Sequence, residues 1–461
     1  MLKPNRTRDR AKAGDEKKVT GVLNEFGKLN EDNIREDEVF KNIKLHYEAL
    51  DDAEKDDLFQ RIIKEIEVSK GAIETLLKSL DDCEPDDPSW PVSLSELRRR
   101  IYSPRLSLLR KISHCPGGLR FLLDFRGDLL SVQRFSEADL KPLDDDIVLL
   151  FEQWFQDGFL YLEEVTHDSP YRQIELIKNS DLVHPMTSIE EMGQRLGKDR
   201  RCFALYHRLI PYEPIIFIEV ALSRGIIKNI NEIIEKTGRQ QQQREIDTAV
   251  FYSINNTQNG LAGLGLGKVL IGQVVTYLKQ ENDQIKNFST LSPLPGFWNN
   301  YLKPILEGND DAFALKQEDV SSFFSKRQVA YILTSAGQDK AAAEQFTHAL
   351  LSILSDEGWV EKEELKKNLQ TPLTRVAFHY IAREKNLQSK PLNPVAGFHL
   401  GNEATVAEKN VNFFANPSPK GINESCGIMV NYIYTTNWLG QIRRSFRLLD
   451  KMEIKGIFRR Q

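Results

Sequence analysis

Three stretches of this 461-residue chain hold residues whose types and spacing could do chemistry. The first is Ala249 to Gln280, AVFYSINNTQNGLAGLGLGKVLIGQVVTYLKQ, whose pattern predicts a strand, a glycine-rich turn and a helix. Gly260, Gly263, Gly265 and Gly267 remove side chains where the chain turns into that helix. Backbone N–H groups can then approach an anion, and a helix N-terminus favours negative charge, so a phosphate or pyrophosphate fits. Two common phosphate loops are excluded. A Walker A loop needs Ser or Thr after its lysine, and Lys268 is followed by Val269. The GxGxxG dinucleotide fingerprint fails because Lys268 stands where the third glycine belongs after Gly263 and Gly265. A helix start packed closely on a strand, with no ligand, is the competing reading of the same glycines.

The second stretch, FSTLSPLPGF (288–297), predicts a strand that ends in a serine, Ser292, fixed by Pro293 and Pro295. The third, NPVAGFHLGNEAT (393–405), predicts a strand that ends in His399, followed by a loop. A serine pinned beside a rigid turn is held in one geometry, as a catalytic hydroxyl must be. A histidine titrates near neutrality and suits acid–base work. Each residue alone also reads as ordinary structure, Ser292 as a turn hydroxyl capping a backbone group and His399 as a packed core or surface side chain. The other histidines, His46, His114, His167, His184, His207, His348 and His379, show no metal-ligand spacing. Cys83, Cys115, Cys202 and Cys426 form no CxxC pair. Neither a metal site nor a disulfide framework is expected.

The elements that must position these residues fall into two kinds. From Glu38 to Leu80, Phe40, Ile43, Tyr47, Leu50, Leu58, Ile62, Ile66, Ile73 and Leu77 recur largely at spacings of three, four or seven, the stripe of packed amphipathic helices. A breaker-rich segment, DDCEPDDPSWP (81–91), follows, then a capping-box pattern at Ser93 and Glu96. Further helices are expected at about 94–112, 117–131 and 144–158. Near Val183 the texture changes to short β-rich runs at 202–207, 215–222, 249–254, 287–291, 395–400 and 427–434, with helices such as 264–280 and 340–355 between them. The expected fold is therefore α followed by α/β: an N-terminal all-helical bundle over 1–181 and a mixed-sheet α/β domain over 182–461.

Composition sets the outer limits. With 40% hydrophobic and 28% charged residues, the balance is that of a soluble globular protein. Lys and Arg total 62 against 67 Asp and Glu, and the net charge of −5 argues against a global grip on nucleic acid. No apolar run reaches the ~18–20 residues that cross a bilayer, so no membrane partner is expected. The leader MLKPNRTRDRAKAGDEKK is basic without an apolar segment, which reads as frayed and solvated rather than as a secretory or mitochondrial signal. The end of the chain, IKGIFRRQ, lacks an SKL-type tripeptide. Sparse cysteines fit a reducing compartment, and a cytoplasmic location is expected.

Taken together the motifs resemble the malonyl-CoA decarboxylase family. The resemblance rests on HPMTSIEEMGQRLGKDRRCFALYHR (184–208), FYSINNTQNGLAGLGLGK (251–268), FSTLSPLPGF (288–297), LQTPLTR (369–375), NPVAGFHLGN (393–402) and SCGIMVNYIY (425–434). In the helical part GGLRFLLDFRGDLL (117–130) and FEQWFQDGFLYLEEVTHDSP (151–170) look like the family as well. The resemblance runs from about residue 100 to the C-terminus. It implies a helical domain used in oligomer contacts, ahead of a GNAT-like catalytic domain, in a homo-oligomer that is tetrameric by that likeness. It implies a carboxy-lyase that converts malonyl-CoA to acetyl-CoA and CO2 without a cofactor beyond the coenzyme A of its substrate. It places the catalytic serine at Ser292, as proton acceptor at the malonyl carboxylate, and the catalytic histidine at His399, as proton donor. It places the coenzyme A turn at Ala262, Gly263, Leu264, Gly265, Leu266, Gly267 and Lys268, with Ile271 one helical turn further in. Some relatives carry Gln where this chain has Ala262 and Glu where it has Gly265, so any polar contact from those side chains is absent or replaced. Tyr432, in NYIY, could line the site. Two other readings remain at this stage: an acyl-CoA-dependent acyltransferase of the same fold, and a non-catalytic scaffold that binds coenzyme A.

Overall fold

The computed structural model describes residues 6–31, 34–68, 70–81, 90–92, 94–95, 103–234, 245–337, 343–386 and 389–434. The capping box expected at Ser93 and Glu96, Cys83 and most of the breaker-rich segment lie outside them. Contacts divide the chain into two compact units, one of 1–161, 205–216 and 256–266, the other of 162–204, 217–255 and 267–461. The boundary expected at about residue 181 falls within the second unit.

The helical part comprises α1 (Arg6–Lys28), α2 (Glu36–Glu48), α3 (Asp52–Glu65), α4 (Lys70–Asp81), α5 (Pro104–His114), α6 (Gly118–Val132) and α7 (Lys141–Trp154). The leader expected to be frayed is helical from Arg6. Local signals explain the starts. Asp51 and Glu54 form a reciprocal capping box on α3, and Ser103 caps α5 with Pro104 in its first turn. The expected stripe points inward: Phe40, Ile43, Tyr47, Leu50, Leu58 and Ile62 are buried, whereas Leu77 is exposed. Phe40 and Tyr47 meet Phe121 edge-on, and Phe59 meets Phe125, with centroids 5.0–5.5 Å apart. Such pairs add about 0.5–1.5 kcal/mol each beyond the apolar area they bury.

The sheet strands are β1 (Leu160–Val165), β2 (Arg200–His207), β3 (Ile210–Ser223), β4 (Thr248–Asn256), β5 (Asn287–Thr290), β6 (Ser292–Pro293), β7 (Val411–Asn412), β8 (Met429–Val430) and β9 (Ile433–Tyr434). A six-stranded mixed sheet has the order β1-β2-β3-β4-β5-β9, and a three-stranded sheet the order β6-β8-β7. β4 runs parallel to β5 from Thr248 opposite Asn287 to Phe251 opposite Thr290, and β9 is antiparallel to β5. The chain then crosses between sheets twice at one place. β5 ends at Thr290 and Ser292 opens β6; β8 ends at Val430 and Ile433 opens β9. The crossings are tied together by Thr290 N–H to Tyr432 C=O (2.9 Å), Tyr432 N–H to Thr290 Oγ1 (3.0 Å) and Asn431 Nδ2 to Thr290 C=O (2.5 Å). Val250, Leu291 and Met429 belong to a buried apolar cluster beside them.

The β-run expected at 395–400 is instead a helix. Among the helices α8 (Leu266–Glu281), α9 (Lys326–Ser335), α10 (Ala343–Ser355), α11 (Glu363–Ala382) and α12 (Pro394–Gly401), the last carries His399. A six-residue apolar run does not by itself distinguish a buried strand from a buried helix. The deciding signal is upstream, where Asn393 accepts the Ala396 N–H at 2.8 Å and Pro394 occupies the first helical turn. Among the described residues no helix is long and apolar enough to cross a membrane.

Candidate active site

Ser292 is set by what lies on either side of it. Before it, Leu291 N–H continues the ladder onto Phe251 C=O; after it, Pro293 pairs with Met429 in β8. Gly296, with φ of +76°, lets the chain turn directly behind Pro295. The Pro295 carbonyl then accepts Asn393 Nδ2 at 3.0 Å. Asn393 is fully buried and does two jobs: one end of its amide caps the helix of His399, the other holds the turn of Ser292. Nothing in the residue's type announced that second role.

The two residues singled out as a serine and a histidine 107 positions apart meet, with Ser292 Oγ 3.0 Å from His399 Nε2. They are 6% and 4% exposed, so the pair is shielded from bulk water. Around them runs a directional chain of hydrogen bonds. Thr290 Oγ1 accepts the Tyr432 N–H and, at 2.9 Å, the Ser292 hydroxyl. Ser292 Oγ is thereby left to accept from Nε2, and Nδ1 faces the Tyr434 hydroxyl at 2.9 Å. In this arrangement the network assigns the imidazole proton to Nε2, the atom facing Ser292. The Tyr432 ring stacks on the imidazole with centroids 4.6 Å apart and planes 25° apart. Burial pushes the His399 pKa down to about 3. The resting imidazole is therefore neutral at pH 7, although its intrinsic pKa would leave it partly protonated.

The glycine-rich turn resolves into positions with different reasons for glycine. At Gly260 a Cβ would fall 2.0 Å from the Leu123 carbonyl of α6, so close packing demands it. Arg126 of α6, itself buried, donates from Nη1 to Gly260 C=O (2.5 Å) and Ala262 C=O (2.9 Å), while its Nε pairs with Asp144 at 2.7 Å. Gly263 and Gly265 have φ of +82° and +71°, with open space where a Cβ would stand. Ala262, Gly263 and Gly265 are exposed, Leu264 is half-buried, and Leu266 and Ile271 are buried. Gly267 is again a packing glycine, since a Cβ there would lie 2.4 Å from the ring of Phe398, the neighbour of His399. Lys268 Nζ is 3.4 Å from Glu403, just past the end of the same helix. The packing reading thus holds at Gly260 and Gly267. Gly263 and Gly265 present exposed backbone in a conformation that favours glycine, as an anion-binding turn requires.

The chain thus combines a helical region and a mixed sheet with a glycine turn that opens a helix and a shielded Ser–His pair where two strands change sheets. The comparisons place this combination in a family. The malonyl-CoA decarboxylase C-terminal domain model matches residues 158–448, and the N-terminal domain model of that family matches 67–155. This chain belongs to the malonyl-CoA decarboxylase family. The protein named malonyl-CoA decarboxylase, mitochondrial, from Anser anser anser is 35% identical over 347 residues, 74% of this chain and 66% of that protein. Its namesake from Mus musculus is 35% identical over 343 residues, 73% of this chain and 67% of that protein. The matched segment thus spans about two thirds of the length of these curated relatives. Crystal structures of malonyl-CoA decarboxylase from Rhodopseudomonas palustris and Agrobacterium vitis superpose with TM-scores of 0.73 and 0.75, at 27% and 26% identity. They cover 95% and 94% of this chain and 96% of their own. One expectation is overturned here. The cytoplasmic location read from the sequence is contradicted by relatives whose names are mitochondrial. A leader without an apolar face was too weak a signal to carry that inference.

Proposed function

We propose that this chain decarboxylates malonyl-CoA, releasing acetyl-CoA and CO2. The observation that carries the reading is the shielded 3.0 Å contact between Ser292 and His399, two residues that sequence distance gives no reason to meet. Malonyl-CoA contains its own electron sink: as the C–C bond to the carboxylate breaks, its electrons pass into the thioester carbonyl as an enolate. No metal, pyridoxal or thiamine is obligatory, so the proposal includes no cofactor. The protein must align the carboxylate, stabilise charge on the thioester oxygen and return a proton to carbon.

Ser292 suits the first task. A hydroxyl is a poor base, and its Oγ–H can swing from Thr290 to the carboxylate and orient it. His399 suits the last. An arriving carboxylate favours the imidazolium, because an opposite charge in a dry site opposes the effect of burial. Nε2–H then points at the reacting end, and Nδ1–H can donate to Tyr434. When CO2 has left, the Nε2 proton passes to the enolate carbon, the Nε2 electron pair is restored, and solvent resupplies the proton. The exposed backbone of Ala262, Gly263, Leu264 and Gly265, the start of α8 at Leu266, Gly267 and Lys268, and buried Ile271 are proposed to bind the pyrophosphate end of coenzyme A. The helical region is proposed to join copies into a homo-oligomer, a reading supported by exposed Leu45 and Phe135 and checked by light scattering.

The test is turnover without an acceptor. Purified protein in D2O should convert malonyl-CoA to acetyl-CoA carrying one deuterium at the methyl carbon, read by mass spectrometry. Acyl transfer that requires an added amine, or binding without turnover, would defeat the reading.

A further inference from the structure

We propose that Tyr432 is a third catalytic group, its hydroxyl donating to the thioester oxygen as enolate charge develops. The inference rests on the decarboxylase reading above and deepens it.

Tyr432 is fully buried, and its backbone is clamped to Thr290 on both sides, by its N–H at 3.0 Å and its C=O at 2.9 Å. Its ring lies on the imidazole of His399, which holds the phenol beside the Ser292–His399 pair. Among the described residues its hydroxyl has no hydrogen-bond partner. Buried polar groups are almost always paired, so an orphaned one needs a reason. The neighbouring tyrosine shows the contrast: Tyr434 uses its hydroxyl on His399 Nδ1. Tyr252 is also unpartnered, but it lines a cavity of about 20 Å³ with Arg195 and Arg200, and one oxygen of nearby Glu219 is unpartnered too. The Tyr252 hydroxyl has the Glu219 carboxyl within reach there. Tyr432 lies instead against the reactive imidazole.

The chemistry needs a donor of this kind. Ser292 and His399 are committed to the carboxylate and the carbon, and the thioester oxygen still requires a fixed donor. A neutral carbonyl accepts weakly and an enolate oxygen strongly, so a preset O–H acts mainly on the transition state. Burial raises the Tyr432 pKa well above its ordinary value, so the phenol keeps its proton and serves as donor throughout.

Tyr432→Phe keeps the ring on the imidazole and removes only the hydroxyl. Loss of one such donor typically costs about 10²–10³-fold in kcat. KM and coenzyme A affinity should stay within about threefold, and the melting temperature should hold or rise, since a buried unpaired group is gone. S-carboxymethyl-CoA, whose carboxylate imitates the enolate oxygen, should bind the variant at least ~10-fold more weakly than wild type. Wild-type kcat in the Phe variant, or equal binding of S-carboxymethyl-CoA, overturns the proposal. So does a loss of kcat that comes with an equal loss of coenzyme A affinity, which would mark the ring as packing alone. If wild type itself makes no acetyl-CoA, the decarboxylase reading fails; if wild type turns over and only the Phe variant is indifferent, this inference alone fails.

Discussion

The glycine turn and the Ser–His crossing are both legible as chemistry, yet they are built on opposite principles. The turn offers backbone: its outward positions are Ala and Gly, they are exposed, and Arg126 fixes them by gripping two carbonyls from behind. The crossing offers side chains: Thr290, Ser292, His399, Tyr432 and Tyr434 are all buried and are joined by hydrogen bonds or ring contacts. A site made of backbone tolerates side-chain replacement so long as φ is preserved. Ala262 and Gly265, both exposed, can therefore serve such a turn without a polar side chain of their own. A site made of buried side chains tolerates almost nothing.

The sharpest way to break that contrast is at the crossing. Ser292→Ala and His399→Asn should each lower kcat by about 10²–10⁴-fold while coenzyme A affinity, measured by calorimetric titration, stays near wild type. If the pair acts as a unit, the double variant should be little worse than the worse single one. Multiplicative losses would mean independent roles. Wild-type turnover by His399→Asn would end its case as proton donor.

At the turn the expected losses are in binding. Arg126→Met removes three hydrogen bonds of a buried guanidinium and strands Asp144 and two carbonyls. Since Asp144 is partly exposed, the stability cost should be about 2–3 kcal/mol rather than the full penalty of a buried ion pair, read by denaturant unfolding. Coenzyme A affinity should fall with it, while kcat at saturating malonyl-CoA should hold. An unchanged affinity in the folded Met protein would show that the turn keeps its shape unaided.

Two glycines separate the principles within one loop. Gly265→Asp sets a carboxylate where phosphate is proposed to lie and forces a left-handed φ on a side chain, so affinity should drop without loss of kcat. Gly267→Asp should cost both, because its side chain must displace Phe398 and with it the helix of His399. Equal kcat in the two variants would uncouple Gly267 from the histidine.

How much of this was readable beforehand follows from the range of the signals. Helices expected at 117–131 and 144–158 appear as Gly118–Val132 and Lys141–Trp154, because an apolar stripe is a local pattern. Ser292 and His399 were marked by residue type and by motif. The residues that hold them were not. Asn393 lay in a quoted motif, but its grip on Pro295 spans 98 residues. Arg126 lay in the quoted GGLRFLLDFRGDLL, and its partner Gly260 is 134 residues away. An arginine set among Leu and Phe on a buried helix face was the available hint, since a charge is buried only with partners. The strand expected at 395–400 failed for the opposite reason: the apolar run was weighed and the Asn-Pro start signal before it was not.

The smallest effect concerns acid stability, and it tests whether the crossing is as dry as its geometry implies. Burial lowers the His399 pKa to about 3, whereas in the unfolded chain it lies near 6.5. Between those values the unfolded state binds the extra proton, so stability rises with pH across that window and is lost as pH falls from about 6.5 toward 3. One such group contributes a slope of at most about 1.4 kcal/mol per pH unit. His184, pushed down to about 4 by burial, adds to the same acid lability, so the wild-type slope alone does not isolate His399. The difference between proteins does. His399→Asn cannot titrate here, and its unfolding free energy should fall less steeply from pH 6.5 to pH 4 than that of wild type, with the two curves parallel above pH 7. Denaturant titrations at half-unit steps measure this directly. Parallel curves throughout would mean that water reaches the imidazole in the resting protein, and that the Ser–His pair is no drier than the exposed turn with which it is contrasted.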